Sequence, residues 1–535
     1  MTSSSTMAKG TGMSEQGAAG DEYDVIVVGS GGGLIGAYTA ASHGLRTLVI
    51  EKTPYVGGTT SYSGAGIWLP GNAAEQRAGV EDSPEAARPY LDAIIGDDAP
   101  VALREAFLQA GPRMIDELEQ NPLFQWFEWK GVPDYFEGRP GSLAQGRTVF
   151  PPDFPRAELG SLEPLLRRPL WTERWGVHPG LQLIGGQALI GRALLAYMET
   201  GNGSLRVNTA LQSLLVEDGR VAGVVALQDG EQVTFRARRG VILAAGGYER
   251  NGELRRSFQP AVGDEWTQGC EGNTGDALTA GIAVGAATDL LEEAWYAPGL
   301  VVPDTRPVFY TSVWSGIWVN GEGERFMNER LPYDRAGHEM LRLGQLSTHW
   351  VFDQRQLDNE RAFATLPVAP EVPGWFDVEK FVEAGVLKRA DTLEELAELI
   401  GVPAAALIKS VDQFNGYARA GKDEQFGRGE APWDLMVTHL AGAHTDGPNP
   451  VLGVIDKGPF YAATIVLSDL GTKGGLRTDE HARVLRTDGS TITGLYASGN
   501  TMAPMSGRIY AGAGVPVGSS MAFSYIAALD LAEQG

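Results

Sequence analysis

The sequence predicts an α/β protein: a Rossmann-like dinucleotide-binding domain, discontinuous along the chain and carrying a β-meander, plus an inserted α+β domain. Three observations support this fold class. A strand, a glycine-rich turn, a helix and a second strand follow one another between residues 24 and 52. Alternating strands joined by Asp-Gly turns follow residue 207. Glycine clusters then give way to charged residues from 297 to 471 and return afterwards, so the predicted domains are 21–296 with 472–535, and 297–471.

The first unit has the order of signals of a dinucleotide-binding βαβ motif. Residues 25–28 and 47–50 are predicted as parallel strands, with a helix at 34–43 between them. The turn before the helix holds Gly29, Gly31, Gly32 and Gly33. Its free N–H groups, with the positive end of the helix dipole, are suited to a pyrophosphate. Glu51 follows the second strand, about 20 residues after the glycines, where a carboxylate accepts hydrogen bonds from a ribose diol.

One position departs from the G-x-G-x-x-G pattern. Leu34 occupies the third glycine position when the count starts at Gly29. A count from Gly31 through Gly33 to Gly36 restores the pattern in a shifted register.

A second loop of small and hydroxyl residues follows Glu51, and its candidate contacts are Gly58, Thr59, Thr60, Ser63 and Gly64. Such a loop lets the backbone pass close to a flat ring and to phosphate. Here the chain resembles flavoproteins of the fumarate reductase and succinate dehydrogenase type, in which a loop of this kind runs beside FAD. The resemblance implies tightly held FAD, so residues 21–296 and 472–535 form the FAD-binding domain. No paired His or Cys signal near these loops indicates covalent attachment, and we expect non-covalent FAD.

Composition and charge exclude several classes of partner. The chain has 535 residues, a formal net charge of −24 and one cysteine, Cys270. Without a Lys/Arg-rich block, this negative charge excludes nucleic acid. A single cysteine excludes an intramolecular disulfide and agrees with a reducing compartment, and we expect Cys270 to be a buried small apolar residue. Neither the histidines, such as His178 and His338, nor Cys270 have the spacing of a metal site, and we expect these histidines to be structural.

The ends and the hydropathy pattern bear on location. Residues 1–20 are rich in Ser, Thr, Gly and Ala and contain no apolar core of a signal peptide, so they are predicted to be a disordered leader. No stretch approaches the roughly 18 apolar residues of a membrane span. We therefore expect a cytoplasmic protein with no integral membrane segment.

The β-meander is predicted from strands at 211–216, 221–227 and 232–236, with a separate strand leading out at 241–245. In the family this arrangement completes the FAD domain, and the resemblance implies that backbone near Val207 meets adenine. Ala245 and Gly246 close the unit. Asp276 opens a further helix whose glycine-containing start suits a phosphate or flavin.

The chain returns to the first domain near residue 471. A strand ends at Gly499 and Asn500, and a glycine-rich segment containing Val515 and Val517 leads into a last helix predicted at 519–531. The N-terminus of that helix suits negative charge on the pyrimidine side of a reduced flavin. These residues complete the candidate cofactor contacts.

Aromatic residues indicate the character of the substrate pocket. Trp126, Phe127 and Trp129 lie within four positions, and either an aromatic corner of the core or the wall of an apolar pocket explains them. Three tyrosines stand in aromatic or glycine-rich settings, namely Tyr135, Tyr333 and Tyr510. Carboxylates nearby, such as Asp134 and Asp334, are expected at the rim of such a pocket. A dry, flat slot with a few hydroxyls suits a polycyclic ketone.

At these residues the chain resembles the 3-ketosteroid Δ1-dehydrogenases. The matching motifs are GGTTSYSGAGIWLPGN at 57–72, PDYF at 133–136, LPYDR at 331–335 and YAGAG at 510–514, and the resemblance covers about residues 22–532. It implies that the Tyr510 hydroxyl and the Gly514 N–H bind the C3 carbonyl oxygen, that Tyr333 removes a proton from C2, and that Tyr135 supports Tyr333. FAD would take hydride from C1, and the inserted domain would be the catalytic (substrate) domain.

Other functions stay open at this point. A 3-ketosteroid Δ4-(5α)-dehydrogenase shares the fold and a tyrosine-based site, but the aromatic and PDYF stretches favour Δ1-dehydrogenation. A soluble fumarate-reductase-like enzyme is disfavoured because the cationic clamp for two carboxylates is missing. A flavin-binding redox sensor without turnover would not require three placed tyrosines. The expected partners are a 3-ketosteroid substrate and an unidentified electron acceptor.

Overall fold

The structure is a computed structural model that describes residues 22–176, 178–309, 316–358, 377–440 and 447–534. Helices and strands alternate along most of this part of the chain. The predicted disordered leader, residues 1–20, lies outside the described residues. The α/β class predicted from the sequence is confirmed by the mixed sheets and their covering helices.

The larger sheet carries the βαβ motif at its centre. Its eight strands are Glu22–Val28, Thr47–Ile50, Gly203–Arg206, Thr209–Glu217, Arg220–Gln228, Glu231–Leu243, Arg483–Leu485 and Thr491–Ala497. Glu22–Val28 lies between Thr47–Ile50 and Glu231–Leu243 and is parallel to both, with Val28 opposite Ile50 on one side and Leu243 on the other. The carboxyl ends of these strands therefore meet at one edge, where ligands bind in open α/β sheets.

The β-meander joins this sheet directly. Arg220–Gln228 pairs antiparallel with Thr209–Glu217 and with the first half of Glu231–Leu243. The separate exit strand predicted at 241–245 is wrong, because Glu231–Leu243 is one continuous strand of 13 residues. The second half of this strand pairs in parallel with Glu22–Val28 and with Thr491–Ala497. One strand therefore belongs both to the β-meander and to the parallel part of the sheet.

Helices cover the sheet and fill the space between its edges. Those in the described residues are Gly33–Ser42, Ala73–Arg77, Pro84–Ile95, Val101–Leu118, Leu170–Trp175, Gly185–Glu199, Gly252–Phe258, Asp276–Ala283, Tyr333–Leu343, Gln354–Leu357, Val378–Glu383, Leu393–Ile400, Ala404–Ala420, Pro432–Leu440 and Val515–Glu533. Gly33–Ser42 packs against Val515–Glu533. A Cβ on Gly36 would lie 2.6 Å from the carbonyl oxygen of Ser524, so Gly36 permits this close helix contact. The third glycine of the shifted pattern Gly31, Gly33 and Gly36 is thus explained by helix packing.

The last helix begins four residues earlier than predicted. It runs Val515–Glu533, with Gly514 before it at φ 97° and Pro516 in its first turn. Backbone N–H groups in the first turn of a helix have no hydrogen-bond partner within the helix. Proline, which lacks an N–H, therefore fits there. By length and composition this helix is apolar enough to cross a membrane, which the sequence expectation had not allowed for, but 67% of its most apolar window is buried inside the protein. It packs as a core helix.

A second sheet is formed by the residues between the two parts of the first. Its six strands are Ala294–Leu300, Val308–Phe309, Ile317–Val319, Ser347–Asp353, Leu387–Ala390 and Phe460–Thr472, and all pairings are antiparallel. The helix Leu393–Ile400 begins with the predicted capping box, since Thr392 and Glu395 exchange side-chain and backbone hydrogen bonds. Small sheets complete the fold, with strands Ile67–Trp68, Glu128–Trp129, Thr148–Phe150, Phe154–Pro155, Gln182–Leu183, Thr288–Asp289 and Gly475–Leu476.

Candidate active site

A long cavity extends from the carboxyl edge of the large sheet to the second sheet. At one end it is lined by Gly29 and Glu51, and at the other by Tyr333 and Tyr510. The strand Ala294–Leu300 brings Trp295 to the cavity wall from the second sheet. The cavity therefore connects the predicted dinucleotide site with two of the three predicted tyrosines.

Glu51 is held in place by the two glycine loops. Its Oε1 accepts hydrogen bonds from the Thr53 N–H and the Thr53 hydroxyl, both at 2.9 Å, and its Oε2 accepts one from the Ser30 hydroxyl at 2.5 Å. The Ser30 oxygen in turn accepts the Gly57 N–H at 2.9 Å. Three donors fix a buried carboxylate at the cavity wall, an arrangement that suits recognition of a ribose diol.

The first glycine loop leaves no room for side chains. Gly29 has φ 101°, and a Cβ there would lie 2.4 Å from the carbonyl oxygen of Ala244. A Cβ on Gly32 would lie 2.1 Å from the Ser520 hydroxyl of the last helix. The loop is thus enclosed between a strand end and a helix start, with backbone facing the cavity, which fits a pyrophosphate.

Most of the predicted cofactor residues line the cavity. They are Gly29, Gly31, Gly32, Glu51, Gly58, Thr59, Thr60, Ser63, Gly64, Ala245, Gly246, Asp276, Gly499, Asn500 and Val517. Gly33, Val207 and Val515 do not. A Cβ on Gly33 would lie 2.8 Å from that of Ala244, so Gly33 serves packing of helix on strand. The Val207 carbonyl accepts the Thr209 hydroxyl, and Thr209 and Leu211 line the cavity in its place.

Several lining residues escaped the sequence analysis. Asn273 lines the cavity and donates to the Thr59 hydroxyl at 3.0 Å, and the buried Glu249 carboxylate accepts a second hydrogen bond from it at 2.5 Å. Cys270 also faces the cavity and is buried, as predicted, with its N–H donating to the Thr59 hydroxyl. Gln268, Trp295 and Ser520 are further members of this group. No local motif marks these residues, because distant segments of the chain bring them together.

The tyrosines form one aromatic cluster at the far end. The Tyr333 hydroxyl donates to the Tyr510 hydroxyl at 2.7 Å, and the Gly514 N–H donates to the same Tyr510 oxygen at 3.4 Å. The ring of Tyr135 lies behind both, 5.6 Å from the ring of Tyr333 and 5.4 Å from that of Tyr510. Tyr333, Tyr510 and Gly514 line the cavity and Tyr135 does not. Two hydroxyls and one backbone N–H thus converge at one place on the cavity wall.

Burial governs the acidity of these phenols. It raises the pKa of Tyr135, Tyr333 and Tyr510 well above the ordinary value for tyrosine. Tyr333 is half-buried and lines the cavity. All three phenols are therefore neutral at physiological pH in the free protein.

Local structure fixes each tyrosine. Tyr333 is the first residue of the helix Tyr333–Leu343, and Gly337 lets that helix lie on the second sheet, since a Cβ there would be 2.5 Å from the Cβ of Tyr296. The segment after Tyr510 is tied to Tyr135 through the Ala511 carbonyl, which accepts the Tyr135 N–H at 3.0 Å. A Cβ on Gly514 would lie 2.2 Å from the Gly66 carbonyl group, so only glycine fits.

Two expectations about the pocket are wrong. Trp126, Phe127 and Trp129 do not line the cavity, since Trp126 is 53% exposed beside Arg77, Phe127 is in the core and Trp129 donates to the Gly146 carbonyl. Asp134 and Asp334 are buried, not at a rim. Asp134 accepts hydrogen bonds from the Trp68 indole and pairs with Arg147, and these partners make its burial possible.

The two histidines have structural partners. His338 lies between the Asp334 and Glu293 carboxylates, with N–O distances of 3.2 Å to each. His178 accepts the N–H of Gly180 at 3.0 Å. Neither side chain lines the cavity.

Comparison with known proteins identifies the family. A model of the family described as FAD binding domain matches residues 24–517. A 3-oxosteroid 1-dehydrogenase of Mycolicibacterium smegmatis is 42% identical, over 96% of this chain and 98% of the relative, and one of Mycobacterium tuberculosis is 39% identical, over 96% and 99%. The crystal structure of 3-ketosteroid delta1-dehydrogenase from Sterolibacterium denitrificans, in complex with 1,4-androstadiene-3,17-dione, superposes with a TM-score of 0.86 at 32% identity, over 96% of this chain and 100% of that one.

These matches extend over nearly the whole chain and agree with the glycine loops and the fixed Glu51 carboxylate, which fit FAD. The cofactor is FAD. The chain belongs to the family of FAD-binding flavoproteins that includes the 3-oxosteroid 1-dehydrogenases.

Proposed function

We propose that this protein is an FAD-dependent 3-ketosteroid Δ1-dehydrogenase, which converts a 4-ene-3-ketosteroid into the 1,4-diene. The observation that carries the proposal is the convergence of two hydroxyls and one N–H on the cavity wall. The Tyr510 oxygen lies 2.7 Å from the Tyr333 hydroxyl and 3.4 Å from the Gly514 nitrogen. Relatives named 3-oxosteroid 1-dehydrogenase match 96% of the chain.

The Tyr510 hydroxyl and the Gly514 N–H bind the C3 carbonyl oxygen. In the free protein the Gly514 N–H points at the Tyr510 oxygen, so a carbonyl oxygen that enters between them receives both donors. Negative charge develops on this oxygen as C2 loses its proton, and each preorganised donor to such an oxygen contributes roughly 3–4 kcal/mol. The C2 proton becomes removable for that reason.

Tyr333 is the base that accepts the C2 proton. Its hydroxyl is adjacent to the donor pair, and its ring faces the cavity. Burial opposes formation of the phenolate, so Tyr333 acts as the base only after its own proton has passed to solvent and a neighbouring donor stabilises the phenolate. Tyr135 is the neighbour proposed for that support, because its ring lies edge-on to Tyr333 and its hydroxyl is within hydrogen-bonding reach of the Tyr333 hydroxyl. FAD, when bound, supplies the acceptor for the hydride from C1.

The FAD contacts follow the cavity. Gly29, Gly31 and Gly32 would hold the pyrophosphate and Glu51 the ribose, as the donors already bound to Glu51 support. The helix Val515–Glu533 begins beside the cavity, where its positive end suits charge on the pyrimidine ring. Residues 21–296 and 472–535 would then form a Rossmann-like FAD-binding domain, discontinuous with a β-meander, and 297–471 an inserted α+β catalytic domain. We further propose a cytoplasmic location and an electron acceptor still to be identified.

Two alternative activities, fumarate reduction and Δ4-(5α)-dehydrogenation, can be told apart from Δ1-dehydrogenation. Among the described residues that line the cavity, the only Lys or Arg side chain is Lys52, at the Glu51 end, so a clamp for two carboxylates at the tyrosine end lacks support. A Δ4-(5α)-dehydrogenase would share the tyrosines but would desaturate a different bond. The position of the new double bond therefore separates the two steroid activities.

The experiment mixes the oxidised holoenzyme with 4-androstene-3,17-dione without oxygen. We expect the flavin absorption to bleach and mass spectrometry to find a product two mass units lighter, with the new double bond between C1 and C2. A product formed only from 5α-saturated 3-ketosteroids, with its double bond at C4, would contradict the proposal. So would a flavin that no 3-ketosteroid bleaches.

A further inference from the structure

Lys473 is a buried cation behind the tyrosine cluster. Its side chain is fully buried, and its ammonium lies 4.3 Å from the centre of the Trp295 ring. The same ammonium donates a hydrogen bond to the Arg508 carbonyl at 2.8 Å and lies 3.9 Å from the Asp334 Oδ1. A buried ammonium is costly without partners, so its position calls for an explanation.

Each residue that Lys473 contacts is a near neighbour, in sequence or in space, of one of the two proposed catalytic tyrosines at the cavity wall. Arg508 lies two residues before Tyr510, and Trp295 packs edge-on against the Tyr510 ring at 5.2 Å. Asp334 follows Tyr333 directly in the first turn of its helix. Lys473 thus touches the chain on both sides of the Tyr333–Tyr510 hydrogen bond, although it does not line the cavity itself.

We infer that Lys473 is a positioning residue for the base and the carbonyl donor, and that it compensates the Asp334 carboxylate beside Tyr333. This inference rests on the proposed function. Its ammonium fixes the approach of Tyr510 to Tyr333, and it limits the repulsion that a negative carboxylate exerts on a phenolate at Tyr333. Removal of the Lys473 charge therefore destabilises the Tyr333 phenolate and also loosens the contact between Tyr333 and Tyr510.

The other charged groups around Lys473 fit this role. Glu293, Arg508 and Asp98 also face the ammonium, and His338 faces Asp334 from the other side at 3.2 Å. Within the part of the chain that the structure describes, the Asp334 Oδ1 that faces Lys473 has no hydrogen bond. Burial raises the pKa of Tyr333 most, and the Asp334 carboxylate adds to the rise. Since His338 and Lys473 both face Asp334, loss of Lys473 leaves His338 as its nearest cation.

The test uses the holoenzyme variants Lys473→Met, Asp334→Asn and the double variant. For each, kcat and the exchange of C2 deuterium in the oxidised enzyme are measured from pH 6 to 10, together with FAD content. Lys473→Met should slow both at pH 7 by at least about tenfold and shift the rise of the exchange rate to higher pH by about one unit, the size of effect expected for a nearby charge. Adding Asp334→Asn should return the profile toward that of the wild type, which loss of packing alone would not do.

Lys409→Met removes an exposed lysine of the helix Ala404–Ala420 and should leave the profile unchanged. If Lys473→Met fails to retain FAD, the inference is tested by Asp334→Asn alone. This variant should shift the rise of the exchange rate to lower pH. An unmoved profile in Lys473→Met, or no reversal in the double variant, would overturn the inference while leaving the function intact. A wild-type enzyme that does not oxidise 3-ketosteroids would instead refute the proposed function.

Discussion

The Tyr333 hydroxyl donates a hydrogen bond to the Tyr510 hydroxyl across 2.7 Å, at the wall of the cavity that begins at Glu51. The two residues lie 177 positions apart and belong to different parts of the fold. This contact joins the proposed base to a proposed carbonyl donor, so it relates the architecture to the chemistry. The first predictions concern the donor side of this pair and the cofactor end of the cavity.

Tyr510→Phe should leave the base in place and remove one of two donors to the C3 oxygen. Turnover should fall roughly 10²- to 10³-fold, because the Gly514 N–H still contributes. Steady-state kinetics with 4-androstene-3,17-dione measures the effect. An unchanged kcat would show that the Tyr510 hydroxyl does not bind the carbonyl.

Gly514→Ala should abolish activity and lower stability. The substitution combines φ 97° with a Cβ 2.2 Å from the Gly66 carbonyl group, and backbone on both sides cannot move away cheaply. Gly489→Ala is the matched control, since Gly489 also has positive φ, at 85°, but open space for a Cβ. The control should cost only about 1–2 kcal/mol of left-handed strain and keep full FAD content. Thermal unfolding and flavin content are measured for both variants. Equal losses of stability and of flavin in the two variants would refute the close approach of Gly514 to the Gly66 carbonyl group.

Glu51→Ala should weaken FAD retention without changing the substrate preference of the remaining holoenzyme. The carboxylate and its three donors lie at the opposite end of the cavity from Tyr333 and Tyr510. Glu128→Ala, which removes an exposed carboxylate, is the control and should retain flavin. Flavin content after dialysis and the ratio of kcat/KM for two 3-ketosteroids provide the measurements. A variant that keeps FAD as tightly as the wild type would contradict the ribose contact.

The stability of the protein should depend on pH through His338. Burial disfavours its charged form, but the Asp334 and Glu293 carboxylates outweigh burial and raise the pKa of His338 to about 9. A pKa above the unfolded value of about 6.5 means that this stabilisation is fully present below pH 6.5 and is lost as the pH rises through about 9. The free energy of unfolding of His338→Gln should therefore fall below that of the wild type by more at pH 6 than at pH 10. Urea unfolding of the holoenzyme tests this, and an equal difference at both pH values would exclude the linkage.

Local signals predicted the first half of the site well. The strand, glycine turn, helix and Glu51 are consecutive in sequence, and their contacts follow from the βαβ motif. The start of the last helix was predicted too late although Pro516 in its first turn was a usable signal. Val207 was assigned through the family resemblance, and no signal in the sequence marked Thr209, which lines the cavity two residues further along the chain.

The second half of the site depends on distant parts of the chain. The density of aromatics at 126–129 does not tell which side of a segment faces a pocket, and Trp126 faces outward. The burial of Asp134 requires Arg147 and Trp68, which lie 13 and 66 positions away. Likewise, Lys473 reaches Trp295, Arg508 and Asp334 only in the folded protein. The family resemblance, and not periodicity, singled out Tyr333 and Tyr510.

The exchange of C2 deuterium in the oxidised Tyr333→Phe holoenzyme tests the central claim most directly. Removal of the hydroxyl removes the proton acceptor, so exchange from a C2-deuterated 3-ketosteroid and flavin reduction should both be abolished, while the substrate still binds. Tyr510→Phe should retain measurable exchange, and Tyr135→Phe should lose less activity than either and have its pH optimum moved upward. Exchange at the wild-type rate in Tyr333→Phe would contradict the assignment of Tyr333 as the base.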